Sequence, residues 1–522
     1  MSVSGPRRVF AAAAACGALA LGLACPASAD TAAPVPALAH HTVGTHVPEA
    51  QERFDEGLTL LWAFNRDESA RRFEAAAKAD PSLAIAWWGV ALANGPNINF
   101  PLTAERLKKA QTALATAKSL EGGASPEERR LIDALAVRYP ATYANEDAAR
   151  PGYVAYRDAM ARVHADYPAD SDVAVLYVES VFDVDDVSWS DGKPSTAAAL
   201  VDGILEDVLQ RDPLSVGANH FYVHANDFVG AAGKALPSAE RLSALPAEPA
   251  ASHLVHMSGH IYLDLGMFAE LERDNRTAVD DDRAFAATLS VSPWDLDYFG
   301  HNLDFYLGGA TMLDDRPQID RALDIARTST GRPVYVLALA RRGDWAGVLA
   351  WPAGKGASTA RGRYQITALT YARGLAFVAT GDLASARAAE ASLEASRGDS
   401  PFVGALADLL AARLAHATGN DDTALTLLRR VQAFAANYPP EVFSAWYFPT
   451  GEWIGAILLQ RGDLAGAEAA YRADLVRTPH NARALYGLMQ TLTRQGRLAE
   501  ARALAPQIAA NWRGPYSELR AE

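Results

Sequence analysis

Six of the twelve histidines in this chain fall between residues 220 and 301, at spacings that can gather imidazoles. His220 and His224 are four apart in Asn219-His220-Phe221-Tyr222-Val223-His224, so on a helix both rings share one face. His253, His256 and His260 follow at intervals of three and four, which confines them to about 60° of arc at ~100° per residue. His301 stands in Gly300-His301-Asn302-Leu303-Asp304. Neutral imidazole is a common ligand for zinc, copper and nickel, and three or four of them make an open or closed site.

The chemistry stops short of a mechanism. A zinc hydrolase helix carries a glutamate directly after its first histidine as the base, and none adjoins His220 or His253. No phosphate-binding loop, nucleophile elbow or dinucleotide fingerprint is present. No catalytic residue is assigned, and the chain reads more as a binding protein than as an enzyme.

The elements that position the histidines come from a repeat. Gly462 and Ala467 are echoed 34 residues later by Gly496 and Ala501, with Gly455, Tyr471 and Pro479 close by. Near the start, Gly57, Ser69, Phe73, Ala76 and Pro81 occupy positions 8, 20, 24, 27 and 32 of the same unit, and Trp87 falls at position 4 of the next. Gly374, Gly381 and Ala386, then Ala412, Gly419 and Ala424, repeat the internal spacing. Thirty-four residues is the period of the tetratricopeptide helix–turn–helix unit, in which small residues let the two helices approach. One unit cannot bury its apolar face, so units must stack. The expected fold class is all-α, a tetratricopeptide-type α-solenoid of stacked helix–turn–helix repeats.

The register gives each histidine a place. With Gly266 at position 15, His253, His256 and His260 take positions 2, 5 and 9 of a first helix, and Asp264 takes 13. With Gly230 aligned likewise, His220 and His224 take 5 and 9 and Asp227 takes 12. Resemblance to tetratricopeptide proteins implies that such positions face a concave groove. The expected groove set is His253, His256, His260, Asp264, Tyr222 and Asp227. The expected metal set is His220, His224, His253, His256, His260 and His301, with zinc or copper as the ion. Contact with an acidic or aromatic peptide, or packing beside Tyr222, Tyr262 and Tyr298, is the alternative use of the same rings.

Composition sets outer bounds. Arg7 and Arg8, the apolar run from Val9 to Ala24 and Ala27-Ser28-Ala29 form a secretory leader over residues 1–29. A lipoprotein acylated on Cys25 is the competing reading. Both cysteines, Cys16 and Cys25, lie in that leader, so the mature chain has no thiol chemistry. Loss of two arginines moves the formal charge from −14 to about −16, which argues against nucleic acid and anionic lipid. No later run is long and apolar enough for a membrane span. Expected segments are 1–29 leader, 30–48 irregular lead-in, 49–240 N-terminal helical repeats and 241–522 C-terminal tetratricopeptide solenoid. His40, His41 and His46 of the lead-in are expected in solvent.

Several stretches interrupt the repeats. Pro140–Pro151 reads as a connection, Asp183–Pro194 as a polar loop and Leu236–Pro249 as a flexible or extended joint. Asp183, Asp185, Asp186 and Asp191 lack the spacing of a calcium loop and read as solvated. Asp280, Asp281 and Asp282 read as a solvated acidic end to a helix. Trp87-Trp88-Gly89 and Asn94-Gly95-Pro96-Asn97-Ile98-Asn99 read as repeat packing followed by a turn.

Over residues 50–310 the chain resembles a group of large exported bacterial tetratricopeptide proteins. The matching stretches are Phe64-Asn65, Trp87-Trp88-Gly89, Gly95 to Asn99, Asn219 to Ala225, His253 to Tyr262 and His301-Asn302. That resemblance implies a fold and a periplasmic or extracellular address more firmly than an activity, and the expected partner of the groove is a protein or peptide. It departs from the group at Asp304, where a histidine is usual, and at Val184 to Trp189.

Overall fold

The computed structural model describes residues 38–190, 192–228, 230–328, 335–352, 360–436 and 450–520. The expected leader with both cysteines, and Asp191, lie outside the described residues.

The first hairpin shows how the sequence builds a repeat. Helix α1 (Pro48–Trp62) opens with proline in its first turn, where the missing N–H costs nothing. Asn65 caps α2 (Arg66–Ala79) by accepting from the Glu68 N–H. The two helices close on Phe73, whose ring lies edge-on to Phe54 with centroids 5.0 Å apart. A Cβ at Gly57 would sit 2.7 Å from the Phe73 ring, and one at Gly89, on α3 (Ala84–Ala93), 2.6 Å from it. One aromatic ring is therefore held between the glycines of two successive repeats.

The same device recurs near the C-terminus. The helices Thr450–Gln460, Leu464–Arg477 and Ala482–Arg494 hold Tyr471 between Gly455 and Gly487, where added Cβ atoms would fall 2.6 and 2.2 Å from the ring. Turns inside the hairpins follow one pattern. The residue two places beyond the first helix is left-handed, as at Gly462 (φ 81°) and Gly496 (φ 79°), and its N–H closes the helix end. The fold class is all-α, a tetratricopeptide-type α-solenoid.

The chain divides into two compact units. The first comprises the described residues up to Asn226, then Lys234–Ser258 and Asp280–Asp297. After α3 it continues through α4 (Ala104–Leu120), α5 (Pro126–Ala136), α6 (Glu146–Asp166), α7 (Ser171–Phe182), α8 (Thr196–Arg211) and α9 (Val216–Asn226). Helix α1 packs on α9 as well as on its own partner α2. Helix α10 (Ala232–Ser243) and a 3₁₀ turn at Pro249–Ala251 lead into α11 (Ser252–Asp264), followed by α12 (Phe268–Leu289).

Three polar stretches of the first unit differ from expectation. The Asp183 side chain is buried rather than solvated, because the wholly buried Arg138 donates to it at 2.5 Å and stacks its guanidinium over Tyr156. A buried cation of this kind needs a charged partner. Asp185 binds Arg157. The loop carries a two-stranded ribbon, β1 (Trp189–Ser190) with β2 (Lys193–Pro194), and Trp189 donates its ring N–H to the Ala225 carbonyl. Leu236–Pro249 starts inside a helix: α10 runs through Pro237 to Ser243. Helix α12 continues past Asp280–Asp282 to Leu289, and Asp282 is buried, accepting from the Ser252 hydroxyl at 2.5 Å.

The second unit comprises the described parts of 227–233, 259–279 and 298–522. It includes α13 (Phe299–Met312) and the C-terminal repeats. Its interior holds a bidentate Arg341–Glu452 pair, with Asn481 donating to both Glu452 and Asp474. Glu452 and Asn481 sit in neighbouring repeats, so the network ties them together. Among the described residues no helix is long and apolar enough to cross a membrane.

Candidate functional site

The site of the first unit starts at the turn between α1 and α2. The Phe64 N–H bonds to Leu61 O and the Asn65 N–H to Leu60 O, matching Gly462 to Leu459 and Asp463 to Leu458 in the C-terminal hairpin. Phe64 is therefore in the left-handed position where those turns carry glycine, with φ 56°. For a bulky side chain this conformation costs about 1–3 kcal/mol. The Asn65 amide donates to Ala250 O at 2.8 Å, pinning this turn to the segment that precedes α11.

Three imidazoles converge beside that turn. His220, wholly buried on α9, donates from Nδ1 to the carbonyl of Trp62 at 2.5 Å. That bond directs the Nε2 lone pair of the neutral ring into the cluster. His224 lies one turn later, with its Nε2 3.1 Å from that of His220. His253 enters from α11 with its ring centroid 5.1 Å from that of His220. One ring nitrogen from each of the three lies within 4.8 Å of the others. The Phe64 ring covers the group at 4.5 Å from His220, and stacks on His224 at 5.8 Å and on His253 at 5.4 Å. His256 stacks on His253 from the far side, at 5.4 Å.

In the second unit His260 is oriented by Asp227, with Nδ1 and Oδ2 2.8 Å apart. The His301 ring is 5.5 Å from that of His260, and Phe305 packs on both. Asp264, one turn beyond His260, faces the charge of Arg477. By unit, the expected metal set falls as His220, His224, His253 and His256 in the first and His260 and His301 in the second.

Of the expected groove residues, Asp227 and Asp264 are partly exposed. His253, His256, His260 and Tyr222 are buried. Phe64 covers His253, and Phe305 packs on His260. Tyr222 points away from the imidazoles. Its hydroxyl donates to Glu206 at 2.7 Å, beside Lys234, and burial followed by that carboxylate raises its pKa far above the usual phenol value.

Two features escaped the sequence. Phe64 has no chemistry of its own, and the sequence marks it only as part of a matching stretch, without a role. His41, expected in solvent, is largely buried, 3.6 Å from Glu127, 3.8 Å from Asp170 and 3.3 Å from Asp172. Burial opposes its charge, but the hydrogen bond and charge of Asp172, with Asp170 and Glu127, outweigh it and raise the pKa to about 9. His40 pairs with Asp55 at 2.6 Å.

Comparison with known proteins gives the class. The tetratricopeptide repeat family matches residues 454–514. Those residues include the pair of repeats that share Tyr471. That stretch of the chain therefore carries tetratricopeptide repeats. Among solved structures it is similar to the APC/C hetero-tetramer Cut9–Hcn1, at 11% identity over 76% of this chain and 81% of that one, with a TM-score of 0.29. It is also similar to Naa15/Naa10 bound to HypK-THB, at 12% identity over 88% and 70%, with a TM-score of 0.22. No curated protein matches.

Proposed function

We propose that this chain is an exported bacterial repeat scaffold that holds a protein or peptide partner in the groove of its stacked helices. Tetratricopeptide scaffolds serve protein–protein interaction in general, and the observation that carries the reading here is the family match over 454–514. A stack of hairpins that places its apolar residues between repeats leaves long helix faces for a partner. The formal charge of −14 favours a partner segment with basic residues. The leader at residues 1–29 supports an address outside the cytoplasm.

Two measurements test the two parts. Residues 30–522 applied to an array of basic and neutral peptides should give saturable, salt-sensitive binding to a subset. Uniform absence of binding across the array would remove the partner reading. Residues 1–29 joined to a phosphatase that folds only outside the cytoplasm should yield active, cleaved enzyme in a bacterial host. An inactive cytoplasmic fusion would remove the address.

A further inference from the structure

We propose that His220, His224 and His253 form a three-nitrogen site for a transition-metal ion, zinc or copper, covered by Phe64. This inference is independent of the partner reading, and failure of either leaves the other standing.

The spacing of the nitrogens matches that of ligands on a single ion. Two nitrogens on one ion, with bonds of about 2.0–2.1 Å at the tetrahedral angle, lie about 3.3 Å apart. His220 Nε2 and His224 Nε2 are 3.1 Å apart, and one ring nitrogen from each of His220, His224 and His253 lies within 4.8 Å of the other two. The His220 tautomer is already the one a metal needs. Its Nδ1–H is committed to a backbone carbonyl, the outer partner that commonly orients a ligating histidine. The two ligands from α9 and the one from α11 come from separate helices, as a coordination site within a helical bundle requires. With no thiol or carboxylate among the three, the donor set suits zinc and copper and not calcium or magnesium.

A proton can also join two of these rings, with His224 Nε2–H donating to His220 Nε2. That arrangement gives no reason for the strained Phe64. Two hairpins near the C-terminus relax the same turn with glycine, at Gly462 and Gly496. Here the left-handed position is kept by a phenylalanine whose ring packs on all three imidazoles. Strain of this kind persists where a site depends on it.

The test uses the mature chain without a polyhistidine tag, stripped by a chelator and titrated separately with Zn²⁺ and Cu²⁺. One equivalent of at least one ion per chain should bind and raise the thermal midpoint, with binding falling steeply below about pH 6 as imidazole protonates. His224→Ala/His253→Ala should lose that equivalent, weakening binding by about 100-fold or more. His260→Ala/His301→Ala should keep it. Absence of near-stoichiometric binding of both ions overturns the proposal, as does retention of the equivalent by His224→Ala/His253→Ala. Should that variant misfold, electron paramagnetic resonance of the Cu²⁺-loaded wild-type chain decides. Coupling to three imidazole nitrogens supports the site, and coupling to one or none removes it.

Discussion

His220 donates its Nδ1 proton to the carbonyl of Trp62, 158 residues earlier in the chain, at 2.5 Å. The bond satisfies the last carbonyl of α1 and at the same time decides which nitrogen of His220 faces His224. Helix capping and site construction are here one interaction. His220→Ala should cost about 2–4 kcal/mol, from the cavity and the orphaned carbonyl together. Denaturant unfolding of the metal-free protein measures it, and a loss below about 0.5 kcal/mol would mean the carbonyl finds another donor.

Phe64 gives an unusual ordering of variants. Phe64→Ala and Phe64→Gly both lose the ring, but only glycine relieves the left-handed backbone. The glycine variant should therefore be the more stable of the two by about 1 kcal/mol, the reverse of the order inside a helix. Equal stabilities would show that the turn relaxes when the ring is gone.

Glycine substitutions should divide by sign. Gly57→Ala and Gly455→Ala push a methyl against Phe73 and Tyr471 and should each cost about 1–3 kcal/mol. Gly203 lies in α8 with open space around its Cα, so Gly203→Ala should stabilise by up to about 1 kcal/mol. Thermal melts of the three variants check the pattern. A destabilising Gly203→Ala would be the informative failure.

His41 sets a pH dependence. Its folded pKa is raised to about 9, above the unfolded value, so its stabilisation is complete below about pH 6.5 and is lost as pH rises through 9. His41→Gln should cost about 1–3 kcal/mol at pH 7, and the difference should vanish above about pH 10. A gap between wild type and variant that stays constant from pH 6 to pH 10 would mean that packing, and not charge, holds His41.

The periodic features were legible in the sequence and the long-range ones were not. The 34-residue echo read Gly57 with Phe73 and Gly455 with Tyr471 as repeat partners, because small and aromatic residues at fixed spacing report local packing. It also put His220 with His224, and His253 with His256, on shared helix faces. It could not show that α1 delivers Phe64 and the Trp62 carbonyl to α9, since no period links residues 158 apart. The buried states of His41 and Asp183 were hidden for the same reason. Their partners, Glu127 and Arg138, are set by the stack and not by neighbours in the chain. Asp280–Asp282 misled because acids near a helix end usually face water, whereas α12 runs on and turns Asp282 toward Ser252.

A ring clasped between glycines of two repeats also limits where this chain can be cut or spliced. Phe73 belongs as much to the repeat that begins near Gly89 as to its own, and Tyr471 as much to the one that contains Gly487. A module boundary drawn at the end of a second helix would leave half of each ring bare. The exchangeable piece of this protein, for truncation or for grafting, is one hairpin plus the first helix of the next.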